Sequence, residues 1–295
     1  MPAAWSGRSK AFTGRRIEMT IRWPLDIAHS IPTNWRQRLG ATFTADGVMH
    51  LGIPGVMHER PEIGRYEHAL GPDRVLAFVD LIEQQKLWDL PAAPPRGPDQ
   101  PMALVMQGRE STMRSKVWTL DALPPEAVTV FDAFNRLVLE AYASPVRVVT
   151  GAARWLAPNF SAREPLRLEF TVRSKGTETI TIQDPMAPQP LESLVQLMVA
   201  RVVPPPGQAP RATTVNIAPT SLRRPDLPRG SGAQSGQHLE LAPGEEARFG
   251  ATCSMYLSPG EYQAVLLLNT GTNSARTHVS GTLALDLSHI NIVHP

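Results

Sequence analysis

Cys253 is the only thiol in the sequence and so the only side chain that could act as a sulfur nucleophile. That chemistry wants a thiolate held near a cation or a histidine in a partly exposed setting. Cys253 instead falls in an alternating row with Phe249, Ala251 and Met255, which predicts a small buried hydrophobe. A single cysteine also excludes an intrachain disulfide and a multi-cysteine zinc site. His50, His58 and His68, with Glu59 beside His58, are the histidines that a first-domain sheet could bring toward one metal. Their spacing matches no zinc motif, having neither His-Glu-x-x-His nor a pair at i, i+4. Solvated histidines on strands and loops are the simpler reading. Serine chemistry would need a Gly-x-Ser-x-Gly elbow between a strand and a helix. The run Gly230-Ser231-Gly232-Ala233-Gln234-Ser235-Gly236 has that composition without the spacing. Neither glycine-rich phosphate loop is present, and the carboxylates form no diagnostic pair. The sequence therefore assigns no catalytic residue, no metal and no cofactor.

Two other groups suit recognition. Within 204–238, Arg211, Arg223, Arg224 and Arg229 stand against a single acid, Asp226. An arginine-rich loop on a rigid scaffold can dock an acidic protein surface; the plain alternative is a solvated insertion. Trp155-Leu156-Ala157-Pro158-Asn159-Phe160 places two aromatics at the expected junction between domains. They either seal that junction or, if exposed, anchor a partner.

The elements that must position these residues follow from composition and period. At 295 residues the chain has room for two domains. Its 42% hydrophobic and 19% charged residues exclude wholesale disorder. The 29 prolines disfavour an all-helical fold and suit short strands and turns. Residues 1–18 carry four cations and one acid, a net +3 in a chain totalling +2, so the remainder sums to −1. They are expected to be a disordered basic tail. The rest has no concentrated basic face, which argues against nucleic acid as a partner. No apolar stretch of signal-peptide kind follows the basic residues. No 18-residue apolar run offers a membrane span, and the expected compartment is the cytoplasm.

From 19 to 146 the pattern predicts an α+β domain. Ala41–Ala45 and Val48–Ile53 flank Asp46-Gly47, a two-residue hairpin link, and 65–70 form a third strand. Gly71-Pro72 opens a helix with Val75, Phe78, Val79 and Ile82 on one face, running to about Leu87. The proline-rich 91–101 is an extended loop, and strands at 102–106 and 116–120 pair around Gly108. A second helix after Pro124-Pro125 aligns Ala127, Val130, Phe131, Phe134, Leu137, Val138 and Ala141 and must stop before Pro145. Each helix covers a face of an antiparallel sheet.

A linker is expected at 147–163 and an all-β domain at 164–288, followed by a tail at 289–295 with His289 and His294. Leu166, Leu168, Phe170 and Val172 alternate with polar residues, as do Phe249–Met255 and Val279–Leu287. Further strands at 177–182, 194–203, 213–217 and 261–268 bring the total to seven, which suggests a β-sandwich.

The run Leu257-Ser258-Pro259-Gly260-Glu261-Tyr262-Gln263-Ala264-Val265 resembles the approach to the penultimate strand of immunoglobulin-like and fibronectin type III domains. Leu241-Ala242-Pro243-Gly244-Glu245 resembles the corresponding phrase before the preceding strand in bacterial sandwich modules. The resemblance implies that Tyr262 is a tyrosine-corner residue, its hydroxyl closing on nearby backbone with Leu257 beneath it. It covers the second domain only, lacks a disulfide pair, and has an unusually long Pro/Gly-rich segment at 204–238. Such folds host many functions.

Together these observations predict a non-enzymatic protein-binding protein, an α+β domain joined to an immunoglobulin-like sandwich. Its concrete form is a cytoplasmic neutraliser of immunity type, or a carrier, for a partner protein in bacterial antagonism or secretion. The expected binding residues are Arg211, Arg223, Arg224, Arg229, Trp155 and Phe160. The rivals are a hydrolase or metal-dependent enzyme built on His50, His58 or His68, and a structural assembly subunit.

Overall fold

The computed structural model describes residues 16–24, 36–43, 47–53, 61–91, 101–107, 113–119, 123–187, 194–203, 211–225, 237–271 and 275–294. Strands at 16–24, 36–43, 101–107 and 113–119 are described as backbone, Trp118 apart. The fold is mostly β, with two α-helices among the described residues, and so α+β in the broad sense. It divides into two compact units: of the described residues, 16–24, Arg36–Ile53 and Arg65–Pro145 belong to the first, and 61–64 and those from Val146 onward to the second.

In the first unit the elements are β1 (Arg16–Pro24), β2 (Arg36–Phe43), β3 (Val48–Ile53), β4 (Glu62–Ala69), α1 (Pro72–Gln84), β5 (Pro101–Gln107), β6 (Met113–Thr119) and α2 (Pro125–Ala141). The strands run in the order β4-β3-β2-β1-β5-β6. The strand that begins at Arg16 is therefore internal, antiparallel to both β2 and β5. Residues 16–18, expected in the disordered tail, are part of a ladder instead; 1–15 lie outside the described residues.

β2 and β3 pair in a different register from the one expected. A two-residue link at Asp46-Gly47 would set residue 43 opposite residue 50, whereas Phe43 stands opposite Met49. Gly47 has φ 87, a left-handed conformation that glycine adopts freely. Its carbonyl accepts the Leu70 and Gly71 amides at 2.8 and 3.0 Å. Both helices bury the faces their spacing predicts. α1 ends three residues before the expected Leu87, where Lys86 turns left-handed at φ 50. Trp118, fully buried, meets Phe131 of α2 edge-on at 6.3 Å and donates its indole N–H to the Pro91 carbonyl.

The second unit holds β7 (Pro145–Trp155), β8 (Asn159–Ser161), β9 (Leu166–Ser174), β10 (Ile180–Gln183), β11 (Val195–Arg201), β12 (Ala212–Ile217), β13 (Leu222–Arg223), β14 (His238–Leu241), β15 (Glu246–Cys253), β16 (Gly260–Asn269) and β17 (Thr282–Val293). One run of strands is β13-β15-β9-β7, another is β12-β11-β16-β17-β8, and β10 pairs with β14. Both runs send side chains into one buried cluster, Val149, Phe170 and Phe249 from the first and Leu197, Leu266 and Leu285 from the second. Phe170 and Phe249, directly opposite in the ladder, stack at 5.0 Å, an arrangement worth about 0.5–1.5 kcal/mol beyond burial.

Two expected boundaries are corrected here. Residues 147–163, expected as a linker, carry β7 and β8, with Val148 and Val149 fully buried. Adjacent buried valines hide the period-two signal. The expected tail at 289–295 begins inside β17, which continues to Val293 and buries Ile290 and Ile292. Its alternation changes parity after Leu287, because Ser288 takes φ 59 and the register against β16 shifts between Gln263 and Val265. A bulge of this kind adds one residue and moves the buried row from odd to even positions.

Candidate functional site

The first unit brings two histidines into polar groups, and consecutive residues of β4 keep those groups apart. Glu67 and His68 are neighbours in an extended strand, so their side chains leave opposite faces. On the Glu67 face, Arg65 Nη2 donates to His50 Nδ1 at 2.8 Å and pairs with Glu67 Oε1 at 2.7 Å. On the other, His68 Nε2 lies 3.5 Å from Glu140 Oε2 and its Nδ1 3.5 Å from Ser144 Oγ. His50 and His68 therefore do not converge on one metal, and His58 lies outside the described residues. Among the described residues no group of three or more His, Cys, Asp or Glu is placed to hold a metal ion.

Ser144, His68 and Glu140 have the residue types of a nucleophile, base and orienting acid. Their geometry does other work. Arg74 grips both Glu140 oxygens at 2.8 Å and holds its carboxyl below the usual range. The backbone N–H groups nearest Ser144 are committed, those of Tyr142, Ala143 and Ser144 donating to Val138, Glu140 and Ala141 carbonyls. None of these three is open to a developing oxyanion, which acyl transfer requires. The group instead ties α1, α2 and β4 together.

In the second unit the expected binding residues separate into engaged and open ones. Phe160 is 2% exposed and sits in the core, so it is no surface anchor. Trp155 packs against that core, meets Phe160 edge-on at 5.8 Å and reaches the Ser288 carbonyl through its indole N–H. Arg224 lies over the Phe249 ring at 5.2 Å. Arg223 runs across Gly250, where an added Cβ would sit 2.7 Å from its Nε. Near them Asp184 has its carboxyl raised by burial, an effect opposed by the Met186 amide and the Arg224 charge. Cys253 is buried as its row predicts, which pushes its thiol above the ordinary value. Arg229 lies outside the described residues, and the segment 204–238 contains the strand expected at 213–217, as β12, and in addition the short β13.

Among the described residues of the expected set, Arg211 and Arg223 are exposed, and Arg211 stands at the end of the β11–β12 pair. β11 is locked there: Arg201 Nη2 donates to the Pro259 carbonyl at 2.8 Å, and the Val202 amide to the Glu261 carbonyl at 3.0 Å. Gly260, at φ 151, lets Arg201 pass within 2.8 Å of where its Cβ would be. One residue on, the Tyr262 hydroxyl donates to the Ser258 carbonyl at 2.9 Å, and Leu257 packs against the core. Beyond this braced corner Val202 and Val203 emerge at 41% and 71% exposure. β12 returns along β11 in unbroken register from Ala212 to Ile217, and no described strand lies on its other side. Its sequence, Ala-Thr-Thr-Val-Asn-Ile, contains no charge and no proline. Sequence reasoning missed Val202 and Val203 because they continue an apolar strand; only the structure ends the strand before them.

The sequence matches no protein-family model and no curated protein. Solved structures give low-similarity matches. A β-glucosidase, EmGH1, from Erythrobacter marinus is 14% identical over 48% of this chain and 15% of its own, with a TM-score of 0.24. The alkylpurine DNA glycosylase AlkC of Pseudomonas fluorescens is 12% identical over 58% of this chain and 41% of its own, also at 0.24. The chain thus spans well under half the length of either protein, and neither similarity bears on its function.

Proposed function

We propose that this chain is a non-enzymatic protein-binding protein whose second unit is an immunoglobulin-like β-sandwich, recognising its partner along β12 and the adjoining Val202–Val203 turn. The observation that carries the proposal is the outer edge of β12, beyond which no strand lies among the described residues. Edge strands are normally guarded by lysine, proline or a bulge, and an unguarded one is a template for another strand. β12 has none of these guards. The bond from Tyr262 to Ser258 supports the immunoglobulin-like reading, because that hydroxyl closes the corner such domains use. Arg211, exposed next to the edge, favours a partner with an acidic surface. A cytoplasmic neutraliser or carrier in bacterial antagonism or secretion is the concrete form; a lone thiol such as Cys253 stays reduced in that compartment.

The test is affinity capture from the native cell with the wild-type chain and with Thr214→Lys. Deleting 204–238 would remove β12 and β13 and confound binding with folding. The expected result is a stoichiometric protein partner recovered by the wild type and lost by the variant. A partner retained by Thr214→Lys would remove the edge from the interface.

A further inference from the structure

The small sheet of the second unit carries a group unused by the binding surface. β10 holds β14 on one side, with Gln183 opposite His238. On its other side it fixes the turn before β17, the Thr181 amide donating to the Thr277 carbonyl at 2.9 Å and the Val279 amide to the Thr181 carbonyl at 3.0 Å. Ile180, Ile182, Leu241 and Val279 go into the core. By strand alternation, Thr181, Gln183, His238 and Glu240 face the other way, and His278 is bridged to Thr181. The imidazoles of His238 and His278 meet there with ring centroids 6.1 Å apart and planes at 77°.

His278 is the anomaly. Both of its ring nitrogens are shielded from solvent and neither has a hydrogen-bond partner. A neutral imidazole has one donor and one acceptor nitrogen, and buried ones are normally satisfied. An unpartnered acceptor nitrogen on a ring whose backbone is pinned on both sides, next to a second imidazole, is a position that a bound cation would take, the other nitrogen keeping its proton. Metal–nitrogen distances of about 2.0–2.1 Å put two imidazole centroids on one tetrahedral ion roughly 5 Å apart. The 6.1 Å separation would have to shorten by about 1 Å on binding.

We propose that His238 and His278 form a two-imidazole site for a divalent transition-metal ion of the zinc type, with water completing its shell. Imidazole nitrogen suits zinc, copper and nickel rather than magnesium or calcium. Two protein ligands leave the ion exchangeable, unlike the closed four-ligand sites that hold structural zinc. The two histidines stand forty residues apart in sequence, and β10 alone brings them together.

The full chain, freed of metal, is titrated with zinc chloride by calorimetry, alongside His238→Ala and His278→Ala. One zinc per chain is expected for the wild type, with a rise in Tm on saturation. Loss of an outer-shell partner already weakens metal sites about 10–100-fold, so each variant, losing a direct ligand, should bind at least tenfold more weakly and lose the Tm rise. His238 is exposed, so His238→Ala keeps the test open if His278→Ala fails to fold. No zinc binding by the wild type, or undiminished binding by the variants, would overturn the proposal; the latter would move the ion to other histidines such as His289.

Discussion

Strands β15 and β12 belong to one unit and differ by two residues in length, yet they are held in different ways. β15 has a neighbour on each side, β9 and β13, and buries Ala247, Phe249, Ala251 and Cys253 at no more than 4% exposure. A one-residue slip would turn that whole row to water, so its register is over-determined. β12 has one neighbour among the described residues and buries only Ile217 of its six side chains. Among the described residues no ladder continues beyond its outer edge. The arginines divide along the same line: Arg224 is spent on the Phe249 ring of β15, while Arg211 beside β12 stays open. Charge composition does not identify a binding residue; what lies beside each charge does.

The largest expected effect comes from the held strand. Phe249→Ala removes a fully buried ring, its stacking on Phe170 and its contact with Arg224. Urea unfolding should show a loss of about 3–5 kcal/mol. A loss no larger than a surface change would mean that the buried row does not fix β15. Next comes the corner beside the open edge. Tyr262→Phe deletes the hydroxyl that donates to Ser258 and leaves the ring in place, for a cost of about 1 kcal/mol. An unchanged urea midpoint would show that Arg201 alone braces the corner.

A subtler effect appears as a slope with pH. Burial raises the Asp184 carboxyl, so its folded pKa lies above its unfolded one. Ionising it then costs the folded state more than the unfolded chain. Stability should fall as pH rises from the ordinary carboxylate range, near 4, through the raised value, and level off above it. Asp184→Asn keeps an acceptor for the Met186 amide and has no charge to bury, so the fall should disappear from urea midpoints measured across that window. A persisting fall would assign it to another group.

Much of this was legible because burial writes its period into the chain. The two helices, β9 and β15 are readable from spacing alone, since each presents one uninterrupted buried face. β17 is readable only as far as Leu287, because the bulge at Ser288 changes which positions are buried. In β1 the alternation of Ile17, Met19, Ile21 and Trp23 crosses the boundary that the basic residues of 1–18 suggest, and charge is a poor guide to where a ladder starts. The candidate sites were less legible for a different reason. Arg224 over Phe249, and His278 beside His238, are meetings of residues that no spacing rule connects. Val202 and Val203 differ from the buried valines of β11 in nothing but the place where the strand ends.

The smallest expected change in stability is the one that sharpens the contrast most. Thr214 is exposed on β12, directly opposite Met198 of β11. Thr214→Lys keeps the backbone N–H that a proline would remove, so the β11–β12 ladder should persist. Surface substitutions of this kind stay within about 0.5 kcal/mol, and urea unfolding should place this one there. A lysine on an edge strand nonetheless blocks a further strand, because adding one would force its charge against the incoming chain. Folding unchanged and partner capture abolished is therefore the paired result expected of an open edge. A loss of stability approaching that of Phe249→Ala would instead mean that β12 is covered and held as β15 is, and the difference between the two strands would vanish.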